Sequence, residues 1–136
     1  MIKFTVYGEP LAQGRPRFAR HGAFVRTYEQ EKFTNHKTLV RYAAIEVKPE
    51  SLLLSPVKCI IRLYKSPPKS FSKKKLELAL SEKLRPTTKP DIDNCIKLIY
   101  DALNGVIWKD DTQVVESICS KYYSDNPRTE IEIEEI

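Results

Sequence analysis

Four aspartates lie close together in this 136-residue chain, and carboxylates at such spacing could hold a metal ion. Asp91 and Asp93 open a helix-like segment, and Asp110 and Asp111 follow it after a short connection. Close like charges repel unless a cation or a proton lies between them, and all-oxygen ligand sets favour Mg²⁺ or Mn²⁺ over Zn²⁺. In the alternative interpretation Asp91 and Asp93 only cap the helix, and Asp110 and Asp111 begin a solvated turn.

The segment between the two pairs has the pattern of a short amphipathic helix. Apolar residues at helical spacing predict one buried stripe, formed by Ile92, Ile96, Ile99 and Leu103. Asn94, Lys97 and Asp101 share another face. Gly105 can adopt the left-handed conformation that closes a last helical turn. The pattern therefore places the two acidic pairs at the margins of one rigid element.

Charge is strongly segregated along the chain. The net charge is +5 over residues 1–48, +7 over residues 49–90 and −7 over residues 91–136. A basic body around an acidic cluster suits an enzyme that cleaves a phosphate polyanion, with cations that hold the polymer. We assign this role to Lys73, Lys74 and Lys89. In the alternative, the lysines at 73–75 only solvate the surface.

Arginines alternate with aromatic residues in a basic segment near the amino terminus. It is predicted to form a loop or a loose hairpin with its tip near His21 and Gly22. Each arginine can present a planar fork to a phosphate, which makes DNA-binding candidates of Arg15, Arg17, Arg20 and Arg26. Phe18 and Phe24 could stack on an unpaired base, although core positions in a hairpin are the favoured interpretation.

The remaining pattern predicts a single α+β domain, with a mixed sheet packed with helices. Alternating side chains predict strands over 2–7, 56–64, 112–123 and 129–136, the last two joined as a hairpin through 124–127. Thr27 and Gln30 resemble a capping box that starts a helix reaching about Glu46. Candidates for the buried side of that helix are Tyr28, Phe33, Leu39 or Val40, Ala43 and Val47. Ser72 is expected to cap a short basic helix that ends near Leu84.

Composition narrows the class of protein. Cys59, Cys95 and Cys119 are widely spaced in apolar surroundings and show no zinc-site spacing, so they are expected to be reduced core residues. No signal peptide or membrane-length apolar run is visible. The expectation is a cytoplasmic protein with no membrane partner.

The central segment also carries a long motif. It resembles the RusA family of Holliday junction resolvases, especially the prophage-type branch, through Lys89-Pro90-Asp91-x-Asp93-Asn94-x-x-Lys97-x-x-x-Asp101-Ala102-Leu103-Asn104-Gly105 and Trp108-x-Asp110-Asp111-x-Gln113-Val114-Val115. Gly8-x-Pro10, Gly14-Arg15-Pro16-Arg17 and the helix near Tyr28 extend the resemblance over nearly the whole chain. Cys95 occupies a position that is more often leucine in this family.

The resemblance implies a homodimeric, Mg²⁺-dependent endonuclease, with Mn²⁺ as the alternative ion, that cuts four-way DNA junctions by paired nicks. By motif position, Asp91, Asp93 and Asp111 match the family's metal-binding catalytic carboxylates, and Lys97 matches its functionally important lysine. Asp110 matches an acid that is less clearly needed. No other cofactor is implied.

Two rival functions follow from the same residues. One is a non-catalytic protein that binds branched DNA, in which the acidic helix is merely capped and the basic half binds. The other is a metal nuclease that acts on other branched or flapped DNA.

Overall fold

The computed structural model describes residues 1–12, 17–21, 24–28 and 31–136, and it describes side chains outside residues 13–34. The strands are β1 (Ile2–Tyr7), β2 (Arg17–His21), β3 (Phe24–Tyr28), β4 (Val57–Lys65), β5 (Val114–Tyr123) and β6 (Arg128–Glu135). The helices are α1 (Glu31–Ile45), α2 (Lys73–Leu80) and α3 (Ile92–Leu103), with a 3-10 turn at Asp111–Gln113. No helix in the described ranges is long and apolar enough to cross a lipid bilayer.

Four strands form a mixed sheet in the order β1, β6, β4, β5. β4 pairs in parallel with β5 and antiparallel with β6, and β1 pairs antiparallel with β6. The predicted alternation in β4 is confirmed, because Val57, Cys59, Ile61 and Leu63 are all buried. Ile131 and Ile133 of β6 also point into the core as predicted. The α+β fold class is therefore confirmed.

The predicted hairpin between the last two strands is wrong. β5 and β6 lie on opposite sides of β4 and do not pair with each other. Residues 124–127 pass over the end of β4, where the Ser124 amide donates a hydrogen bond to the Lys65 carbonyl at 2.9 Å. Strands in a sheet lie about 4.8 Å apart, so four residues are enough to step across one of them.

The predicted start of the first helix is also wrong. Thr27 and Tyr28 belong to β3, where they pair with Phe18 and Arg17 of β2, and α1 begins only at Glu31. The cross-strand hydrogen bonds of this hairpin outweigh the local capping preference of Thr27. The predicted hairpin around residues 21–22 is itself confirmed, because β2 and β3 pair antiparallel up to His21 and Phe24.

The buried side of α1 differs from the prediction in several positions. Of the two alternatives, Val40 is fully buried as predicted and Leu39 is 52% exposed, and Ala44, which was not predicted, is fully buried. His36 is buried as well, and burial lowers its pKa. Ala43 packs against the core as predicted, whereas Val47 lies exposed beyond the helix. The predicted contacts of Tyr28 and Phe33 concern side chains outside the described part of the chain.

α3 packs across the sheet next to α1. Its buried stripe is shifted from the predicted one: Ile99 and Leu103 are buried as expected, but Ile92 and Ile96 are only half-buried. The rest of the stripe consists of Cys95, Leu98, Tyr100 and Ala102. The Arg41 guanidinium of α1 donates hydrogen bonds to the carbonyls of Ala102 and Asn104 at 3.3 and 3.5 Å, at the negative end of the α3 dipole.

α2 is shorter than predicted and ends at Leu80 instead of near Leu84. Ser72 caps it as expected, with its hydroxyl accepting a hydrogen bond from the Lys75 amide at 3.2 Å. The three cysteines are free thiols, as predicted, and Cys59 and Cys95 are fully buried.

Candidate active site

Asp91 stands at the amino end of α3 as its N-cap residue. Its backbone is extended, and its carbonyl accepts a hydrogen bond from the Cys95 amide at 3.1 Å. Its carboxylate, however, makes no capping hydrogen bond, and Asp93 in the first turn is likewise exposed. The capping interpretation of Asp91 is therefore wrong for its side chain. Carboxylates left free at a positive helix end remain available to a ligand.

Two lysines hold the segment that leads into Asp91. The Lys121 ammonium of β5 donates hydrogen bonds to the carbonyls of Thr88 and Pro90 at 2.7 and 3.0 Å. The Lys65 ammonium of β4 bonds the Thr88 hydroxyl at 3.0 Å and the Lys89 carbonyl. These bonds fix the backbone before α3 to the ends of two strands. They also bring two positive charges close to Asp91.

Lys97 lies one turn after Asp93 on the exposed face of α3. An ion pair with Asp93 or Asp101 would be its purely structural role, but among the described residues Lys97 forms no salt bridge with either. Its ammonium group is thus open to an external anion.

Asp110 and Asp111 lie beyond the opposite end of α3. Asp110 caps the 3-10 turn: its carboxylate accepts a hydrogen bond from the Thr112 amide at 3.2 Å, while the Gln113 side chain accepts one from the Asp110 amide at 3.0 Å. Hydrogen bonds from Thr112 lower the pKa of Asp110. The alternative interpretation, in which Asp110 begins a solvated turn, is therefore correct for this residue. Asp111, half-exposed, has no side-chain hydrogen bond to another described residue.

Gln113 anchors this acidic turn to the core. Its amide nitrogen donates hydrogen bonds to the carbonyls of Leu53 and Ser55 at 2.8 and 3.1 Å. Trp108, fully buried just before the turn, donates its indole N–H to the Asn104 side chain at 2.7 Å. The turn that carries Asp111 is therefore held at the carboxyl end of α3.

The other predicted DNA contacts are exposed lysines or lie outside the described side chains. Lys73, Lys74 and Lys89 are exposed. Arg15 lies outside the described residues, and the predicted roles of Arg17, Arg20, Arg26, Phe18 and Phe24 concern side chains outside the description, on the β2–β3 hairpin. These assignments stay predictions.

The three predicted metal ligands suit Mg²⁺ in chemistry but not in position within one chain. Among the described residues, no three acidic, histidine or cysteine side chains form a group that could hold a metal ion. Asp91 and Asp93 lie at one end of α3 and Asp111 beyond the other, and a helix of 12 residues is about 18 Å long. The residues of a single chain therefore do not form the predicted three-carboxylate site.

Thiolate ligands or nucleophiles are no substitute. Burial raises the pKa of Cys59 and Cys95 to about 12 and that of Cys119 to about 11. All three thiols therefore stay protonated near neutral pH, and Cys95 serves packing in the position after Asn94.

The reasoning from sequence missed Lys65 and Lys121. Both lie on strands, 24 and 31 residues away from their partners Lys89 and Pro90, so no local pattern connects them to the acidic helix. Lys121 follows the alternation of its strand and points to the helix-covered face, where an apolar residue is usual. The charge of Lys121 at a strand position that is usually apolar was therefore the signal from which its contact with the helix segment could have been predicted.

The fold and the site define a class: an α+β protein with free carboxylates at a helix start, flanked by basic segments, as expected of enzymes that act on nucleic acid. Comparison with known proteins makes the class specific. The family profile of endodeoxyribonuclease RusA matches residues 7–134, and the chain belongs to this family. It is also 47% identical over 137 residues to the uncharacterized protein YqaN of Bacillus subtilis (strain 168), covering 99% of this chain and 96% of the relative. Membership implies an endonuclease that resolves Holliday junctions in DNA.

Proposed function

We propose that this protein is a Mg²⁺-dependent endonuclease that resolves four-way DNA junctions by paired, symmetric nicks during recombination and repair. We expect that Mn²⁺ can support cleavage in place of Mg²⁺. The observation that carries the proposal is the family match over residues 7–134. Within it, Asp91 and Asp93 lie at the start of α3, and the Asp91 carboxylate makes no capping hydrogen bond. A homodimer suits this reaction because a two-fold axis relates opposing strands of a four-way junction as it relates two protomers.

Each residue has a proposed role. Asp91, Asp93 and Asp111 are the catalytic carboxylates and metal ligands, with Asp111 supplied to each site by the other protomer of the proposed homodimer, because the two ends of α3 lie too far apart within one chain. Lys97 contacts the scissile phosphate, on the same exposed face as Asp93. The cleavage reaction develops negative charge on the phosphoryl oxygens, and a nearby ammonium stabilises it. Arginines 15, 17, 20 and 26 and lysines 73, 74 and 89 contact the DNA backbone.

Electrostatics favour DNA at the amino end of α3. Lys65 and Lys121 reach the backbone next to Asp91, and Arg85 lies against the Tyr122 ring with its Nε donating to the Lys121 carbonyl at 2.5 Å. These cations attract a polyanion to the surface next to Asp91. The same cations offset the repulsion between those carboxylates and phosphate.

A substrate panel tests the proposal. Synthetic four-way junction, flap and linear duplex are incubated with the protein in Mg²⁺, in Mn²⁺ and with a chelator. We expect rapid paired nicking of the junction alone, and only with a divalent ion. Preferential cutting of the flap would favour a nuclease for other branched DNA. Junction binding without cutting under every condition would favour a non-catalytic binding protein.

Asp91→Asn is the sharpest single variant. It removes a proposed catalytic carboxylate and one negative charge beside DNA, so cleavage should be lost while junction affinity stays equal or rises. Gel shift and nicking are measured on the same junction, with Asp125→Asn as the control, since that exposed turn residue carries the same change of charge. Normal cutting by Asp91→Asn would refute the assigned site.

A further inference from the structure

One end of the sheet carries a stack of four planar side chains, which we call the aromatic stack. Tyr64 of β4 and Tyr122 of β5 are register partners, and their rings stack with centroids 5.3 Å apart and 21° between their planes. The Arg128 guanidinium of β6 lies over the other face of Tyr64, at 3.9 Å from the ring centroid. The Arg85 guanidinium, from the loop between α2 and α3, lies over Tyr122 at 4.1 Å. The aromatic stack therefore ends in a guanidinium on each side.

Strand alternation places the aromatic stack on the side of the sheet that faces away from α3. Leu63 and Lys121 precede the two tyrosines and point toward α3, because Leu63 is buried and Lys121 bonds the Pro90 carbonyl at 3.0 Å. Tyr64 and Tyr122 therefore point the other way, and both are only half-buried. The aromatic stack and the start of α3 thus lie at the same end of β5, on opposite faces of the sheet.

The two guanidinium groups differ in how far their charge is neutralised. Arg128 is paired with Glu130 at 2.9 Å, and it also donates two hydrogen bonds to the turn at residues 124–126. Arg85 is exposed, and its one hydrogen bond to a described residue runs from Nε to the Lys121 carbonyl at 2.5 Å. No acid in the described part of the chain forms an ion pair with Arg85. Arg85 therefore keeps its positive charge at the surface.

Arg85 is also held in one orientation. The Tyr122 ring fixes the plane of its guanidinium, and the bond to the Lys121 carbonyl fixes the rotation within that plane. With Nε occupied, Nη1 and Nη2 remain as a fork that can bind two oxygens of one phosphate. A fork that is already ordered loses less conformational entropy on binding. Residues 69–89 hold seven lysines and arginines against two glutamates, so the anion that this segment attracts is a polyanion.

The position of Arg85 favours branched DNA over a straight duplex. Its Nε bonds the carbonyl of Lys121, whose ammonium bonds the Pro90 carbonyl next to Asp91, so Arg85 lies close to the active-site segment but toward the other face of the sheet. Duplex DNA is stiff, with a persistence length of about 150 base pairs, and does not bend sharply around the end of a sheet. At a four-way junction the arms leave the crossover in different directions, so an arm next to the cut can reach Arg85.

We propose that Arg85, held by the aromatic stack, binds a backbone phosphate in a neighbouring arm of the junction and thereby favours junctions over linear duplex. The inference rests on the proposed function, since it takes branched DNA as the ligand. It assigns Arg85 to the selection of the substrate and not to the cleavage step. Tyr122 has a positioning role, because it acts on the DNA only through the guanidinium that it orients.

DNA binding without cleavage tests this contact. The wild type and Arg85→Gln are titrated into labelled four-way junction and linear duplex in chelator, and fluorescence anisotropy is measured at several salt concentrations. We expect Arg85→Gln to bind the junction about tenfold more weakly and to lose about one unit of slope in the salt dependence, while its duplex affinity is unchanged. The matched control is Lys83→Gln, which removes the same charge from an exposed residue outside the aromatic stack and should change neither affinity appreciably.

Variants of Tyr122 test the aromatic stack. Tyr122→Phe keeps a ring against Arg85 and should bind the junction as the wild type does. Tyr122→Leu removes the ring and should weaken junction binding, and adding Arg85→Gln to it should cause little further loss, because both changes remove one contact. Circular dichroism verifies the fold of each variant. Losses that add in the double variant would overturn the role assigned to the ring.

The cleavage rate separates this contact from a structural tether. At saturating protein, the single-turnover rate of Arg85→Gln should equal that of the wild type. A lowered rate with unchanged junction affinity would overturn the proposal and make Arg85 a tether of the segment before Asp91. Equal weakening on junction and duplex would also overturn it and make Arg85 a general DNA contact. If the wild type never cuts junctions but Arg85→Gln still loses junction affinity selectively, the contact stands and the proposed nuclease function fails.

Discussion

The two ends of α3 are built in different ways. At the amino end, Asp91 and Asp93 are exposed, and the preceding backbone is fixed by ammonium groups of Lys65 and Lys121 that reach carbonyl oxygens. At the carboxyl end the chain turns at Gly105, with φ of +76°, and passes directly into the core through Trp108. One end is held by polar contacts at the surface, and the other by burial.

This difference separates function from stability. Variants at the carboxyl end should lower the free energy of unfolding, because they disturb buried groups. Variants at the amino end should lower cleavage with little loss of stability, because their bonds lie near solvent and position a few backbone atoms. The predictions below test that contrast.

Trp108→Ala is expected to have the largest effect. The indole is fully buried and makes an edge-to-face contact with Tyr100 at 5.4 Å between ring centroids. Truncating a buried aromatic side chain costs about 3–5 kcal/mol, a large part of the stability of a domain this size. Urea unfolding followed by circular dichroism measures the loss. Tyr42→Ala, which truncates an exposed aromatic residue, should change stability little, and an equal loss in the two variants would contradict the proposed role of the core.

Asn104→Ala should have an intermediate effect. It removes the acceptor of the Trp108 indole N–H and leaves that buried donor without a partner. Such an unsatisfied group costs about 1–3 kcal/mol. Asn104→Asp keeps an acceptor oxygen in place, so it should lose less stability in the same unfolding measurement. If alanine and aspartate are equally tolerated, the hydrogen bond contributes nothing.

Lys121→Met tests the amino end. The thioether keeps most of the side-chain volume but cannot donate to the carbonyls of Thr88 and Pro90. We expect a stability loss of about 1 kcal/mol, and a single-turnover cleavage rate at saturating protein that falls about tenfold, since small displacements of catalytic groups are costly. Lys121→Arg should restore part of the rate.

The control for Lys121→Met is Lys83→Met. Lys83 is exposed and has no hydrogen bond from its side chain to the 88–90 backbone, yet the change removes the same charge. If both variants lower the rate at saturation equally, Lys121 acts through bulk electrostatics and does not position Asp91.

Local patterns predicted the parts of the fold that depend on neighbouring residues. The start of α3 after Asp91, its end before Gly105 and the alternation of β4 follow from caps, turns and periodicity that a few residues determine. The buried stripe of α3 was displaced from the predicted one, because Cys95, Leu98 and Ala102 are fully buried whereas Ile92 and Ile96 are half-buried. Apolar spacing alone did not distinguish these two neighbouring faces of the helix.

Long-range placement could not be predicted in the same way. No local sequence pattern indicates that β4 lies between β5 and β6, because the strand order depends on which strands pair across the whole sheet. The bonds of Lys65 and Lys121 arise only from that order. The separation of Asp91 from Asp111 follows from the length of α3, together with the bonds that Gln113 makes to Leu53 and Ser55, which keep the second acidic turn from folding back.

Substitutions of Asp110 are expected to have the smallest effect. They distinguish the role of Asp110 from that of its neighbour Asp111. Asp110 caps a solvent-exposed turn, so Asp110→Ala should lower the melting temperature slightly, whereas Asp110→Asn, which caps nearly as well, should leave it almost unchanged. Neither change should abolish cleavage, unlike Asp111→Asn. If Asp110→Asn also abolished cleavage, Asp110 would belong to the reactive group of carboxylates.

The pH dependence of this cap has a definite sign. Hydrogen bonds from Thr112 lower the pKa of Asp110 in the folded protein, so its stabilising contribution is complete above the ordinary carboxyl pKa. The contribution is lost as the pH falls through the lowered folded pKa, because the unfolded chain takes up the proton first. Melting temperatures measured from neutral pH down into that acidic range should therefore fall slightly more for the wild type than for Asp110→Asn, whose amide does not titrate. Parallel curves for the two proteins would show that the ionisation of Asp110 makes no net contribution to stability.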